Sequence, residues 1–202
     1  VGDGLTTTGL YPVAASEGHV LQTGGTFYVK DYLIIGYGGP AGTASSYDIT
    51  GGSIVQTNGN SIRIGDRTTG TMTATGTEMA PVNVSSNVTR VGSGAAGNGT
   101  LTLNGYVNWA ATTGGIQIGA GGAGVNGTVN LNDHAVVTTA GTTYIANSVS
   151  GSEGTLNLRN YATMTNTGQF QVAYGTSSTA TGAIAKATVN LYDNSVLNTT
   201  DY

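Results

Sequence analysis

Three kinds of residue are scarce in this sequence: cysteine, proline and charged residues. The 202 residues include no Cys and three Pro, and Asp, Glu, Lys and Arg together make up 8% of the chain, against about 25% in a typical globular protein. Six Lys and Arg at a net charge of −4 cannot supply the basic surface that binding to nucleic acids requires. Nucleic acid is therefore excluded as a partner.

Long apolar segments are absent as well. The longest aliphatic run, Leu33-Ile34-Ile35, is far shorter than the roughly 20 residues that cross a bilayer as a helix, so no membrane span is expected. No window shows the 3.6-residue period of a helix. The chain instead contains 34 Gly and 34 Thr, and its apolar residues follow a regular pattern. We expect one ordered, all-β domain over residues 1–202.

A short box of alternating apolar and polar residues recurs six times. Two examples are Ile62-Arg63-Ile64-Gly65 and Ile116-Gln117-Ile118-Gly119. The last apolar residues of the six boxes are Ile35, Ile64, Val91, Ile118, Ile145 and Val172. Their spacings of 29, 27, 27, 27 and 27 residues are too even to be accidental, and they indicate a structural repeat.

Two further boxes complete each repeat. One begins with Gly-Thr, as in Gly99-Thr100-Leu101-Thr102-Leu103, and the other is a middle segment such as Tyr106-Val107-Asn108-Trp109. Both alternate apolar and polar residues, which is the two-residue period of a strand with one buried face. We name the Gly-Thr box strand A, the middle segment strand B and the six-fold box strand C.

Three short strands in a unit of this size cannot bury their apolar face alone, so successive units must stack. Stacking predicts a three-sided parallel β-solenoid of about seven coils of 27 to 29 residues, with equivalent residues in columns at about 4.8 Å spacing. The inward columns of strand A are predicted to be Leu101, Val129, Leu156 and Val189, and then Leu103, Leu131, Leu158 and Leu191. An outward hydroxyl column is predicted at Thr71, Thr100, Thr128, Thr155 and Thr188.

The repeat resembles a known family. The pairing of Gly-Thr-Leu-Thr-Leu-Asn-Gly at 99–105 with Ile-Gln-Ile-Gly at 116–119 is similar to the passenger-associated β-helix repeats of bacterial autotransporters and related secreted β-solenoid surface proteins. The resemblance extends from about residue 46 to residue 202. It implies a right-handed parallel β-helix outside the cell, and it is specific for architecture rather than for function.

A β-helical lyase or hydrolase would need clustered carboxylates and a neighbouring cation. The ten acidic residues are instead spread along the chain. Asp133 and Asp193 share a position in the repeat, but the intervening repeat has Asn160 there. We interpret these residues as solvent-exposed residues at the corners of the coils. We expect no catalytic residues, no enzymatic activity and no cofactor.

The two histidines, His19 and His134, lie far apart in the repeat, which argues against a metal site. His134 falls in the column of Tyr106 and Tyr161 and is expected to stack between them on the outer surface. Trp109 has the same phase as apolar residues of the other repeats. It is therefore expected in the core rather than in a sugar-binding site.

The two ends of the sequence differ in phase. Residues 5–9 fall in the phase of strand C, whereas the last residues supply strands A and B without a following strand C, and no capping segment is recognisable at either end. These features predict head-to-tail polymerisation, in which the first strand of one copy completes the last coil of another. The predicted subunit interface consists of Val1, Leu5, Thr8, Gly9, Val189, Leu191, Val196, Leu197 and Tyr202.

The predicted function is therefore mechanical: the subunit of an extracellular bacterial filament, with further copies of the chain as partners. The start at Val1 is consistent with removal of a leader, and the absence of Cys weakly favours the bacterial surface. Two alternatives stay open. The chain could be a fragment of an adhesin or autotransporter passenger that binds a receptor or glycan through loops such as 174–186, or a carbohydrate-active β-helix enzyme.

Overall fold

The computed structural model describes residues 17–38, 43–147, 151–174 and 184–201. These residues form nineteen β-strands and no helix, so none of the described segments is a helix long and apolar enough to cross a membrane. In chain order the strands are β1 (His19–Gln22), β2 (Thr26–Val29), β3 (Leu33–Tyr37), β4 (Ala44–Ile49), β5 (Ser53–Gln56), β6 (Ser61–Asp66), β7 (Thr69–Gly76), β8 (Val82–Ser86), β9 (Val88–Ser93), β10 (Asn98–Gly105), β11 (Val107–Ala111), β12 (Ile116–Ala120), β13 (Asn126–Asn132), β14 (Val136–Thr139), β15 (Thr143–Asn147), β16 (Glu153–Leu158), β17 (Thr163–Val172), β18 (Lys186–Leu191) and β19 (Val196–Asp201).

The strands lie in three parallel stacks, one for each predicted strand of the repeat. The A stack has the order β1-β4-β7-β10-β13-β16-β18. The B stack runs through β2, β5, β8, β11, β14 and β17 to β19, and the C stack runs through β3, β6, β9, β12 and β15 to the second half of β17. Every stack pairs strands of successive coils in parallel, so the predicted three-sided parallel β-solenoid is confirmed.

The number of coils differs slightly from the expected seven. About five turns, from β1 to β15, have three separate strands; the next turn fuses its B and C strands into β17, and β18 and β19 add one A and one B strand. In the fused strand the extended backbone continues through Gly168, which has no positive φ.

The register of the A stack reproduces the predicted columns. Thr100 pairs with Thr71 on one side and with Thr128 on the other, and Leu101 lies between Met72 and Val129 in the same way. The pairing continues without a shift to β18. The aliphatic column is fully buried in the middle coils, and the threonine column is half-buried on the outer face. The predicted inward and outward columns of strand A are therefore confirmed.

Trp109 lies in the core, with 1% of its surface exposed, as predicted. Its indole N–H donates a hydrogen bond of 2.9 Å to the hydroxyl oxygen of Thr89, which also lies 2.9 Å from the hydroxyl of Ser86. Thr89 occupies an inward position of strand C where the two neighbouring coils have Ile62 and Ile116. The polar side chain is needed there because a buried indole N–H must find an acceptor.

A second polar cluster is buried two coils further along, at the same corner between the B and C stacks. The hydroxyl groups of Thr139 and Thr143 donate to the side-chain oxygen of Asn166 at 2.5 and 2.6 Å, and the Asn166 amide donates to the carbonyl oxygen of Gly168. Asn166 has no exposed surface. Its amide satisfies groups from three strand segments, which fixes the corner where β17 passes from one stack to the other.

The corner between the C and A stacks has glycine on both sides in the middle coils. Gly65, Gly92 and Gly119 lie next to the ends of successive C strands with φ values of 70°, 68° and 60°, a region that L side chains rarely adopt, and Ala146 and Ala173 adopt the same conformation in the following two coils. In the middle coils the glycine near the start of the A strand has no room for a side chain. A Cβ on Gly99 would overlap the backbone nitrogen of Gly92 and the carbonyl oxygen of Ile64.

Replacing Gly99 by Ala is expected to lower the free energy of unfolding by about 3 kcal/mol, because the added methyl group has backbone atoms on both sides and cannot be relieved by a rotamer change. Urea unfolding followed by circular dichroism measures the loss. Gly59→Ala is the matched control: a Cβ there meets no atom within 4 Å, and the change should stay within about 0.5 kcal/mol. Equal stability of the two variants would contradict the close-packed corner.

Thr89→Val is expected to cost about 1 to 3 kcal/mol, because it removes the acceptor of a buried N–H while keeping the shape of the side chain. Trp109 is the single tryptophan of the chain, so its fluorescence reports unfolding directly. Thr138→Val, on the exposed outer face of β14, is the control and should be nearly neutral. A neutral Thr89→Val variant would show that the indole hydrogen bond does not stabilise the core.

Candidate functional site

The predicted subunit interface is described in part. Val189 and Leu191 lie in β18, and Val196 and Leu197 lie in β19, so all four belong to the last strands of the A and B stacks. Val189 and Leu197 are half-buried against the core, whereas Leu191 is 52% exposed and Val196 is 44% exposed. The other predicted interface residues, Val1, Leu5, Thr8, Gly9 and Tyr202, lie outside the described residues.

The two B-strand residues of the predicted interface face opposite sides. Leu197 pairs with the buried Met164 and continues the inward column of the B stack. Val196 pairs with Thr163, which lies on the outer face. Leu197 is therefore the last residue of the apolar core in the B stack. The side chain of Val196 lies on the lateral surface, and its backbone belongs to the edge of the last B strand.

The first described coil also exposes apolar side chains. Val20 is 38% exposed, Leu21 60% and Tyr28 60%, and Phe27 is partly buried against the core. Of the thirteen exposed large hydrophobic residues in the described part of the chain, ten lie within 17–38 or 170–201. Exposed apolar surface that is concentrated in this way is typical of a contact surface.

Two inward columns connect chemically matched residues at the two ends of the stack, whereas the second inward column of the A stack runs from Gln22 to Leu191. The first inward column of the A stack begins at Val20 and ends at Val189, and that of the B stack begins at Phe27 and ends at Leu197. On the outer face the last member is Lys186, whose ammonium group lies 3.0 Å from the Glu153 carboxylate of the preceding coil. By the register of β1 on β4, the first member of that column is Glu17.

Asparagine side chains form a directional ladder along the A stack. The amide nitrogen of Asn190 donates to the side-chain oxygen of Asn157 at 2.8 Å, and Asn157 donates to Asn130 at 2.8 Å. Asn130 in turn lies 3.4 Å from the Thr102 hydroxyl. In each of these bonds the amide nitrogen donates to a side-chain oxygen of the preceding coil, and the amide oxygen faces the following coil. These bonds keep neighbouring coils in register.

The carboxylates considered for catalysis are corner residues. Asp133, Asn160 and Asp193 all have positive φ values, of 60°, 59° and 57°, and all three are exposed. Asn160 donates a hydrogen bond of 2.6 Å to Asp133. Their shared role is to make the tight turn between strands A and B, for which Asp and Asn are suited because they tolerate the left-handed conformation.

The outer aromatic column is confirmed. The His134 ring stacks on Tyr106 with centroids 4.7 Å apart and on Tyr161 with centroids 5.4 Å apart. Among the described residues, no three His, Cys, Asp or Glu side chains come together in a way that could hold a metal ion.

One charged cluster was not predicted from the sequence. Arg63 and Arg90 are register partners on the outer face of the C stack, and Arg67 follows at the next corner. Nη1 of Arg63 lies 3.0 Å from the Asp66 carboxylate, which is 2% exposed and also accepts a hydrogen bond from Ser93 at 3.2 Å. The signal that could have indicated this cluster is the middle residue of two consecutive C boxes, which is Arg in both.

The comparisons with known proteins add no family to this description. No family model matches the chain, and no curated protein and no solved structure matches it significantly. The fold places the chain in the class of parallel β-solenoids. Its similarity to autotransporter passenger repeats rests on the pattern of the repeat alone.

Proposed function

We propose that the chain is a structural subunit of an extracellular bacterial filament whose copies stack end to end through their terminal coils. The observation that carries the proposal is the match between the first and the last described coil. If β1 of one copy continues the A stack beyond β18 of another, Val20 packs on Val189. In the same register Phe27 packs on Leu197 in the B stack.

The apolar contacts supply the stabilisation. Each of these side chains occupies an inward column that is fully buried in the middle coils. Burying an aliphatic or aromatic side chain of this size contributes about 1.5 to 3 kcal/mol. The backbone N–H and C=O groups along β18 and β19 gain the same parallel ladder that joins every other pair of coils.

Polar groups supply the register. Lys186 of one copy meets Glu17 of the next, which extends the contact that Lys186 already makes with Glu153. An exposed ion pair is worth little by itself, but charge complementarity favours the register that brings Lys186 to Glu17.

The contact is between two different surfaces of the same chain, so it does not close on itself and leads to a fibre. The seven A strands of the described residues, at about 4.8 Å per strand, correspond to an axial repeat of about 34 Å. The outer surface, rich in Thr and Asn and poor in charge, supports a location on the bacterial surface. The proposal gives the chain no catalytic role.

The fibre is tested by electron microscopy of the untagged chain at rising concentration. Unbranched fibres with an axial repeat of about 34 Å, and a meridional spacing of about 4.8 Å in fibre diffraction, are the expected result. Monodisperse short rods at every concentration would contradict end-to-end stacking.

The interface itself is tested by Val20→Asp, which places a charge in the apolar contact with Val189 and should abolish fibres, because an unpaired buried charge is strongly unfavourable. Val136→Asp is the matched control: Val136 is also 38% exposed but faces outward from the middle of the B stack. Sedimentation velocity shows whether each variant assembles. Fibres formed equally well by both variants would exclude the proposed interface.

A further inference from the structure

A column of polar side chains runs along the outer face of the C stack, and its charge is unusual for this chain. Arg63 and Arg90 are adjacent members of the column, in a protein with only six basic residues in total. All column members from Arg63 onward are partly exposed. In order along the axis the column contains Ile34, Arg63, Arg90, Gln117, Tyr144 and Gln171.

The guanidinium group of Arg63 makes three contacts with the protein. Its Nε donates to the Ser61 hydroxyl at 3.0 Å, and its Nη1 lies 3.0 Å from Asp66. The group also lies over the ring of Tyr32, 4.8 Å from the centroid. Arg63 is therefore held in a fixed position, with its charge largely compensated by Asp66.

Arg90 is placed differently. Its Nε is buried and has no hydrogen-bond partner, and no ion pair of Arg90 occurs among the described residues. Burial lowers the pKa of Arg90, and the neighbouring charge of Arg63 lowers it further, against the opposing effect of Asp66 and Tyr32. Because Asp66 is paired with Arg63 and also bound by Ser93, Arg90 is left without an ion pair of its own. A ligand that supplies an anion would stabilise a partly desolvated cation in this position.

We propose that Arg90 binds an acidic group of a linear anionic glycan that lies along the outer face of the C stack. A guanidinium group matches a carboxylate or sulfate because its N–H groups form a planar fork. Gln117 and Tyr144 follow at the next two coils and offer an amide group and an aromatic ring to the hydroxyls and faces of adjacent sugars.

The same surface suits other polyanions less well. An extended peptide adds to a free strand edge, but the backbone groups on this lateral face are already paired within the C stack. A nucleic acid presents a dense line of phosphates, which the net charge of −4 repels at the low density of basic residues found here. The inference does not depend on filament formation, because the lateral face stays exposed in a stacked fibre.

The binding test uses isothermal titration calorimetry of the full chain with four probes of similar length: an oligogalacturonate, a sulfated oligosaccharide, a neutral oligosaccharide and an oligoglutamate. We expect binding of one or both anionic glycans, and the two arms show whether carboxylate or sulfate is preferred. No binding of either glycan would overturn the proposal. Equal affinity for the oligoglutamate or for the neutral sugar would overturn it as well, since the site would then recognise only charge or only sugar.

The role of Arg90 is tested with Arg90→Gln, which is expected to weaken glycan binding by about tenfold or more through loss of a charge-assisted contact. Arg159→Gln removes the same charge at an exposed site where the guanidinium lies over Tyr192, and it should leave the affinity unchanged. Arg90→Lys should restore only part of the affinity, because an ammonium group lacks the planar fork. Equal weakening by the Arg90 and Arg159 substitutions would show a general charge effect and overturn the site.

Stability separates a binding role from a structural one. If Arg90 serves a ligand, Arg90→Gln should unfold at the same or a higher temperature than the parent chain, since an unpaired and partly buried charge has been removed. A lower unfolding temperature would assign Arg90 to the support of the fold and contradict the proposal. In the parent chain, saturating glycan should raise the unfolding temperature, because the ligand binds the folded state only.

Discussion

In-register stacking of successive coils is the constraint on which the rest of this structure depends. No coil can satisfy its own backbone hydrogen bonds or bury its own apolar face, so each strand depends on the strand about 27 residues before it and the one about 27 residues after it. Equivalent positions of successive coils therefore lie next to each other. Their side chains form columns of aliphatic, hydroxyl, amide or aromatic groups. A column is favourable for each of these groups and unfavourable for repeated like charges, which explains why the chain has so few charged residues.

The corners satisfy the same constraint in a different way. Where strand C turns into strand A in the middle coils, two glycines of neighbouring coils approach so closely that neither has room for a side chain. Where strand A turns into strand B, Asp or Asn adopts the left-handed conformation in the last three coils and Gly105 adopts it in the coil before them. Polar residues at the corner between strands B and C, such as Thr89 and Asn166, satisfy buried donors and acceptors that the aliphatic columns cannot reach.

A solenoid whose coils pair their backbone groups and bury their apolar side chains against each other has two kinds of surface left for function. Its ends present the apolar columns and the last backbone ladder, and the matched residues Val20 and Val189 make the ends suited to each other. Its lateral faces present one residue per coil, so that a long ligand could follow the axis. Arg90 interrupts the neutral columns of these faces, and the two proposed activities therefore use different parts of the molecule and are compatible with one another.

The sequence by itself determined the stacking, because a repeat of 27 residues with two-residue alternation leaves only one way to bury Leu101, Val129 and Leu156 together. It also determined the stack of His134 between two tyrosines and the burial of Trp109. Only the tertiary structure decided why Thr89 and Asn166 lie inside, since it brings Trp109 to Thr89 and Thr143 to Asn166 across 20 or more residues of the chain. The isolation of Arg90 was decided in the same way, because burial and the prior pairing of Asp66 with Arg63 are properties of three-dimensional packing that no spacing of residues in the chain encodes.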